Sequence, residues 1–560
     1  MFKKTDPNPQ LDIFTAPSMQ LGSRASKKYS DPNSWHNQFY SLVTTKIDEE
    51  IFKPLFPEGK KSGRPNASIR ILVAMSVLKE GFGCSDEDLF EKCEFDLLTR
   101  KALGMELLTD VTPSIDTYYL FRRRICEYQE RTGISLMQLC FEQLAGNQIR
   151  LLKISGKCVR MDSKLIGSNI ARQSRYELIH TTLVKFLKTC TLTHLSPEQE
   201  ERAKEYLKED SSKTIYRSDS DTLQSNLARI GNFIMEMLAA FPATSPAYDL
   251  LQRLFDEQYV VMDGKAVLRD KKEVKADSLQ NPNDPDATYR AKNDQKVQGY
   301  VTNITETVEE GKPSIITSVQ VETAVFADCH FLQEAVENSE RVTNSAIEDL
   351  YADGAYQSPD NREFAKNHNA MQLKTGKMQG GCRWELIPHN EDGLTVREIA
   401  TGNTYEAVKA VTKQGSRKRW RIPWNNKTGW RYFEDKDIKA YQLRKQIESL
   451  PLEEQHKRNN VEAAMFQYCF HTRNGKTRYR GLLKHRMHAY SRCMWMNLRR
   501  MVIFQISTFQ RSIFALFGPI REAFGSFMAI SRKMFTSGAD CYVSLRMTTL
   551  VMLDSKYALF

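Results

Sequence analysis

The chain has 560 residues, 41% hydrophobic and 27% charged, with a formal net charge of +11. This is the composition of a soluble globular protein of about two to four domains whose basic excess points to a polyanionic partner. Its 11 cysteines are scattered singly with no Cys-x-x-Cys pair, which argues against a disulfide framework or a zinc ribbon and fits a reducing cytoplasm. The opening MFKKTDPNPQLDIF lacks the apolar core of a signal peptide, and the most apolar stretch, from Met501, is broken by Gln505, Gln510 and Arg511, so neither export nor a membrane span is expected.

Residues 1–34, rich in Pro, Ser, Asn and Lys, read as a flexible arm. From Trp35 apolar residues recur at helical spacing, with Ser85 and Asp88 placed as a capping box and Thr112-Pro113 opening a further helix. An all-helical unit over 35–150, for DNA binding or dimerisation, is expected. It is either an ordinary bundle or a helix-turn-helix around Gly81-Phe82-Gly83 with Arg122, Arg123 and Arg124 toward DNA.

The period then changes. LLKISGKCVRMDSKLIGSN reads as a strand with Val159 and Met161 on one face and Asp162 at its C-terminal end. Residues 172–256 read as a helical insertion and SLQNPNDPDATYRAKNDQKVQGY as a loop. KVQGYVTNITET and PSIITSVQVET then form a hairpin, followed by a helix in DCHFLQEAVENSERV and a strand ending at Tyr351-Ala352-Asp353. Ser358-Pro359 opens another helix, and AMQLK is the next strand.

Residues 376–450 form a second insertion, β-rich and basic. Its segment KQGSRKRWRIPWNNKTGWR interleaves Arg417, Lys418, Arg419 and Arg421 with Trp420, Trp424 and Trp430. Cations take phosphates and indoles stack on unpaired bases, so nucleic-acid contact is expected there, with cation–π pairing inside a small sheet as the alternative. Glu462 follows on a helix whose Val461, Met465 and Tyr468 share a face. No acidic residue follows it from Ala463 to Arg500, a stretch that carries nine Lys and Arg. Residues 501–560 read as a helical tail.

In the order strand, hairpin, helix, strand, the first and fourth strands lie side by side, so Asp162 and Asp353 can converge, and a helix on that sheet can add Glu462. Three carboxylates at one spot repel unless a cation neutralises them, and hard oxygen donors select Mg²⁺ or Mn²⁺. No glycine loop of the kind that cradles a nucleotide is present, so no nucleotide cofactor is expected.

Taken together, GRPNASIRILVAMSVLKEGFGCSDEDL with TPSIDTYYLFRRRI, MDSKLIGSNIAR, NPNDPDATYRAKN with QGY, YADGAYQS and RNNVEAAMFQYCFHTRNGKTRYRG resemble the DDE-type insertion-sequence transposases over about residues 35–500. The resemblance implies an α/β, ribonuclease H-like mixed sheet over 151–500 preceded by the helical domain. It implies Asp162, Asp353 and Glu462 as catalytic residues and ligands of two Mg²⁺ or Mn²⁺ ions, and Arg458 as a phosphate-holding residue. Gln455 and Cys469 stand where one branch of the family has tyrosine and lysine, with Arg478, Arg480 and Lys484 as candidates for the missing cation. The implied activity is binding of double-stranded DNA at terminal inverted repeats, cleavage, and joining of 3′-hydroxyl ends to target DNA. A homodimer in the synaptic complex and a bacterial cytoplasmic, nucleoid-associated setting follow from it. A non-catalytic DNA-binding relative and a nuclease of the same fold without strand transfer are the alternatives.

Overall fold

The computed structural model describes residues 2–5, 16–56, 65–191, 195–241, 245–292, 295–375, 382–389, 393–410, 419–424, 429–449 and 451–535, with backbone only at 424, 452, 453, 455, 456, 458, 459 and 509–535. Met1–Val502 form one compact unit and Ile503–Phe560 a second.

The helical N-terminal region is α1 (Pro17–Gln20), α2 (Ser23–Ser30), α3 (Trp35–Leu42), α4 (Ile69–Phe82), α5 (Asp86–Phe95), α6 (Leu97–Leu103), α7 (Ile115–Thr132) and α8 (Leu136–Leu152). Hydroxyl caps set the starts: Ser85 and Asp88 close a capping box on α5, Ser114 caps α7 and Ser135 caps α8, each satisfying an amide the helix itself cannot. The segment read as a flexible arm is partly folded. It holds α1 and α2, buries Tyr29, and sets Phe2 against Phe56 with the rings tilted, because its few apolar side chains find a surface to cover.

The chain continues with β1 (Cys158–Gly167), then α9 (Arg175–Leu187), α10 (Pro197–Lys208), α11 (Ser211–Arg217), α12 (Ser220–Ala240) and α13 (Pro246–Gln258). These helices occupy the stretch read as a helical insertion. They surround their own apolar core, which includes Ile179, Phe233, Ile234 and Leu254, and the insertion extends into a two-stranded hairpin, β2 (Tyr259–Met262) and β3 (Lys265–Leu268). Next come β4 (Thr288–Lys292), β5 (Gln295–Thr307), β6 (Ile316–Thr323), α14 (Leu332–Thr343), β7 (Asp349–Ala352), α15 (Pro359–Asn367) and β8 (Gln372–Thr375). β4 lies within the stretch read as loop: its Asn, Pro and Asp neighbours hide a strand that pairs with the first residues of β5.

The main sheet is mixed, in the order β4-β5-β1-β7-β8 with β6 also on β5. β5 runs antiparallel to β1 and β6, whereas β7 and β8 run parallel to β1. Alternation along the strands divides its two faces. Val159, Met161, Val301 and Leu350 pack under Leu332, Ala335 and Val336 of α14. Ile166, Tyr300 and Ile304 join the core formed by the later helices.

Downstream, β9 (Trp384–His389), β10 (Gly393–Glu398), β11 (Thr404–Ala410), β12 (Arg419–Trp424) and β13 (Gly429–Glu434) make a separate antiparallel sheet, followed by α16 (Asp435–Glu448), α17 (Leu452–Cys469) and α18 (Leu482–Phe535). Between α17 and α18, Arg473 and Lys476 pair across a turn in which Asn474 and Gly475 have φ of 52° and 69°, the left-handed pair that a tight two-residue hairpin requires. That hairpin docks on the end of β1, where the Gly167 amide donates to the Gly475 carbonyl at 2.8 Å.

Residues 35–150, read as a unit apart, share one hydrophobic core with the sheet and the late helices. Phe39, Leu78 and Phe141 belong to the same cluster as Ile304, Met465 and Trp495. One close approach is at Gly81 of α4, where a Cβ would lie 2.3 Å from the Trp495 ring. Among the described residues no helix is long and apolar enough to cross a membrane.

Candidate active site

Asp162 stands in the middle of β1 rather than at its end, because β1 remains paired with β5 as far as Gly167. Only its parallel pairing with β7 stops early, at Arg160 and Tyr351. Asp353 comes two residues after that last pair, directly beyond the end of β7. Each carboxylate accepts the next amide along, Ser163 N–H at 2.8 Å and Gly354 N–H at 2.7 Å.

Tyr356, buried just after Asp353 in the chain, donates from its hydroxyl to Asn303 Oδ1 at 2.8 Å. Burial pushes this phenol well above its ordinary range, and the nearby charges of Asp162, Asp328 and Asp353 push it further. It therefore keeps its proton.

Glu462 arrives from α17. Val461, Met465 and Tyr468 are buried, which turns the Glu462 side of the helix outward over the sheet. The residue lines a cleft of about 370 Å³ together with Asp162, Lys164, Arg290, Lys292 and Asp328. Asp162 and Glu462 are thus brought to one cavity, whereas Asp353, one residue beyond the end of β7, is not among the residues that line it. As placed, no three His, Cys, Asp or Glu side chains among the described residues make a ready-formed metal cage.

Two networks hold α17 in position. Arg160, on the same β1 face as Asp162, donates to Glu306 Oε1 at 2.6 Å, to the Lys457 carbonyl of α17 at 2.9 Å and to Ser314 Oγ at 3.0 Å. Glu306 is 0% exposed and also pairs with Arg500 of α18 at 2.7 Å. At the start of α17, Glu454 takes hydrogen bonds from Lys457, Tyr351 and Lys374. The Lys457 bond first, then those of Tyr351 and Lys374, hold its carboxyl at about 2.

The cations expected to meet DNA divide into two groups. Arg478 donates to the carbonyls of Gly83 and Cys84, and Arg480 to that of Asn169 at 2.7 Å. Arg492 donates to those of Glu80 at 2.8 Å and Gln467 at 2.6 Å. Much of the acid-free stretch is therefore an internal clamp in which guanidinium groups satisfy exposed carbonyls at helix and strand ends. Arg122 is likewise not a DNA contact of a helix-turn-helix: it lies over the Tyr118 and Tyr479 rings beside Asp86. Lys484 is exposed. The Arg458 side chain lies outside the described part of α17.

In the β-rich insertion, Trp420 is 4% exposed and belongs to the sheet's own core with Leu394, Val396 and Phe433. Its reading as a stacking platform is corrected. Period-two alternation turns Arg419 and Arg421 to the other face, where they lie 4.2 Å over the rings of Tyr432 and Trp430. The internal cation–π alternative describes these two pairs. Arg417, Lys418 and the Trp424 side chain lie outside the described residues.

Sequence reasoning passed over Lys164, Arg290, Lys292 and Asp328. Alternation along β1 puts Lys164 on the face of Asp162, and Arg290 and Lys292 stand in the conspicuous DATYRAKN segment.

Residues 28–124 match the family model described as Transposase domain (DUF772). No curated protein and no solved structure matches the chain. The matched segment runs from the end of α2 into α7, so this part of the helical N-terminal region is similar to a transposase domain, consistent with an insertion-sequence transposase.

Proposed function

We propose that the chain is a DDE-type DNA transposase that binds the terminal inverted repeats of its element, cleaves the DNA and joins the freed 3′-hydroxyl ends to target DNA. The observation that supports this reading is that Asp162 and Glu462 line one cleft while Asp353 follows directly on β7, the parallel neighbour of β1. The strand order β6-β5-β1-β7-β8 with its antiparallel and parallel pairings supports a ribonuclease H-like sheet. The transposase domain supports DNA as the partner.

The donor set fits a hard divalent cation, since all three candidate ligands are carboxylates. Bound there, two Mg²⁺ or Mn²⁺ ions would supply activation of the attacking oxygen and stabilisation of the leaving one. The chain's own residues do the rest. Asp162, Asp353 and Glu462 would hold the ions, and Arg160 fixes the height of α17 and so of Glu462. Joining two ends at once implies two protomers in the synaptic complex.

Incubation with labelled element ends, Mg²⁺ and a plasmid target tests the proposal. Joined products are expected. Nicks without joining identify a nuclease of this fold, and retention of DNA without cleavage identifies a non-catalytic binder; either result overturns it.

A further inference from the structure

Asp162 and Glu462 share their cleft with three cations that differ in how tightly they are tied. Arg290 donates to Asp328 Oδ1 at 3.0 Å and to the Phe326 carbonyl at 3.0 Å. Lys292, 46% exposed at its side chain, reaches the other oxygen of Asp328 at 3.3 Å. Two positive groups thus share one buried carboxylate.

Lys164 is different. It stands two residues after Asp162 on the same face of β1, is exposed, and lines the cleft with Glu462. Its ammonium forms no ion pair or hydrogen bond with the described residues. Its charge reaches α17, the helix of Glu462: burial raises the Cys469 thiol while Lys164 draws it back down. Cys469 lies about two turns beyond Glu462.

With Asp162 and Glu462 balanced by divalent ions, the cleft is left with three cations against Asp328 alone. A site of that sign, open to solvent and floored by a strand, suits the anionic backbone of a nucleic acid. A lysine is apt for it, being a compact charge that can follow a phosphate as the strand is cut and joined.

We propose that Lys164, assisted by Lys292, is a phosphate-binding residue of the cleft that positions the DNA strand beside Asp162 and Glu462, with Arg290 fixed as the anchor of Asp328. This rests on the transposase reading. Lys164 is a positioning residue: it acts on the strand through its backbone charge and takes no proton.

The test is fluorescence anisotropy on a labelled element-end duplex across a salt series, with Ca²⁺ in place of Mg²⁺ so that the DNA stays uncut, using wild type, Lys164→Gln, Lys164→Arg and Lys292→Gln. Loss of one phosphate contact should flatten the slope of log affinity against log salt by about 0.9 in Lys164→Gln. Lys164→Arg should restore it and Lys292→Gln should reduce it by less. An unchanged slope in Lys164→Gln overturns the proposal, as does tighter Ca²⁺ binding with DNA affinity unaltered, which would make Lys164 a mere counter-charge to the carboxylates. A parallel joining assay on the wild type separates the two claims: joining with an unchanged slope defeats only the lysine, and failure to cut or join defeats the underlying reading.

Discussion

Glu306 is where fold and proposed chemistry depend most on one side chain, and two substitutions there are expected to separate them. Glu306→Gln removes the charge that two guanidinium groups share, so Arg160 and Arg500 remain buried with a single neutral acceptor between them. Breaking a buried pair from one side costs about 3–5 kcal/mol, because the uncompensated charge has no access to water. Arg160→Met is milder. Glu306 keeps Arg500, and the main loss is the charged hydrogen bond to the Lys457 carbonyl, worth about 1.5–3 kcal/mol. Yet that bond sits five residues before Glu462 on α17. Arg160→Met should therefore cost less stability than Glu306→Gln while still displacing the carboxylate, so strand joining falls further than its stability loss explains. Urea unfolding followed by tryptophan fluorescence, paired with the joining assay, measures both. The reasoning fails if Glu306→Gln lies within about 1 kcal/mol of wild type, or if Arg160→Met proves the more destabilising of the two.

Gly81→Ala should destabilise by about 1–3 kcal/mol, since its Cβ would meet the Trp495 ring at 2.3 Å and force the α4–α18 contact apart; thermal unfolding of the variant checks it. Acidification should act in two stages. Burial holds the His485 ring down at about 3, so the unfolded chain takes up its proton first and stability begins to fall as pH drops below about 6.5. Glu454 is held at about 2 by its hydrogen bonds. Burial alone would raise Glu80, but the His488 charge and the hydrogen bonds of His488 and Tyr479 outweigh it and hold it at about 2 as well. Depressed carboxyls stabilise above their unfolded pKa, so a second loss is expected from about pH 4.5 toward 2, read as urea midpoints against pH. Trp420→Ala should unfold the β-rich sheet, at about 3–5 kcal/mol. Trp430→Ala, at a residue 48% exposed, should leave the sheet folded, as limited proteolysis of the two variants would show.

Much of this architecture was legible before any coordinates. Hydroxyl caps and helical spacing gave the N-terminal helices, as the Ser85 and Asp88 capping box shows. The ends of short apolar runs gave the hairpin β5–β6 and the strand before Asp353. The extent of β1 was not, because Ser163 and Gly167 read locally as breakers while the pairing that keeps β1 extended comes from β5, far along the chain. β4 was hidden for the same reason.

The roles of the arginines were the least legible. A guanidinium bound for DNA and one bound for a distant carbonyl look alike in one dimension, and Arg478 finds its acceptors nearly 400 residues away, at Gly83 and Cys84. Trp420 was readable in principle. In Arg419-Trp420-Arg421-Ile422 the alternation puts Trp420 and Ile422 on one face and both arginines on the other, and it outweighs any affinity of indole for bases.

The most direct measurement of the central claim is Mn²⁺ binding, followed by electron paramagnetic resonance of the free ion, on wild type and on Asp162→Asn, Asp353→Asn and Glu462→Gln in the presence of element-end DNA. The account predicts about two ions per protomer for wild type, and weakened Mn²⁺ binding in each variant with DNA retention intact. Wild-type binding of Mn²⁺ by Asp353→Asn would contradict it, because the carboxylate that follows β7 would then have no share in the site.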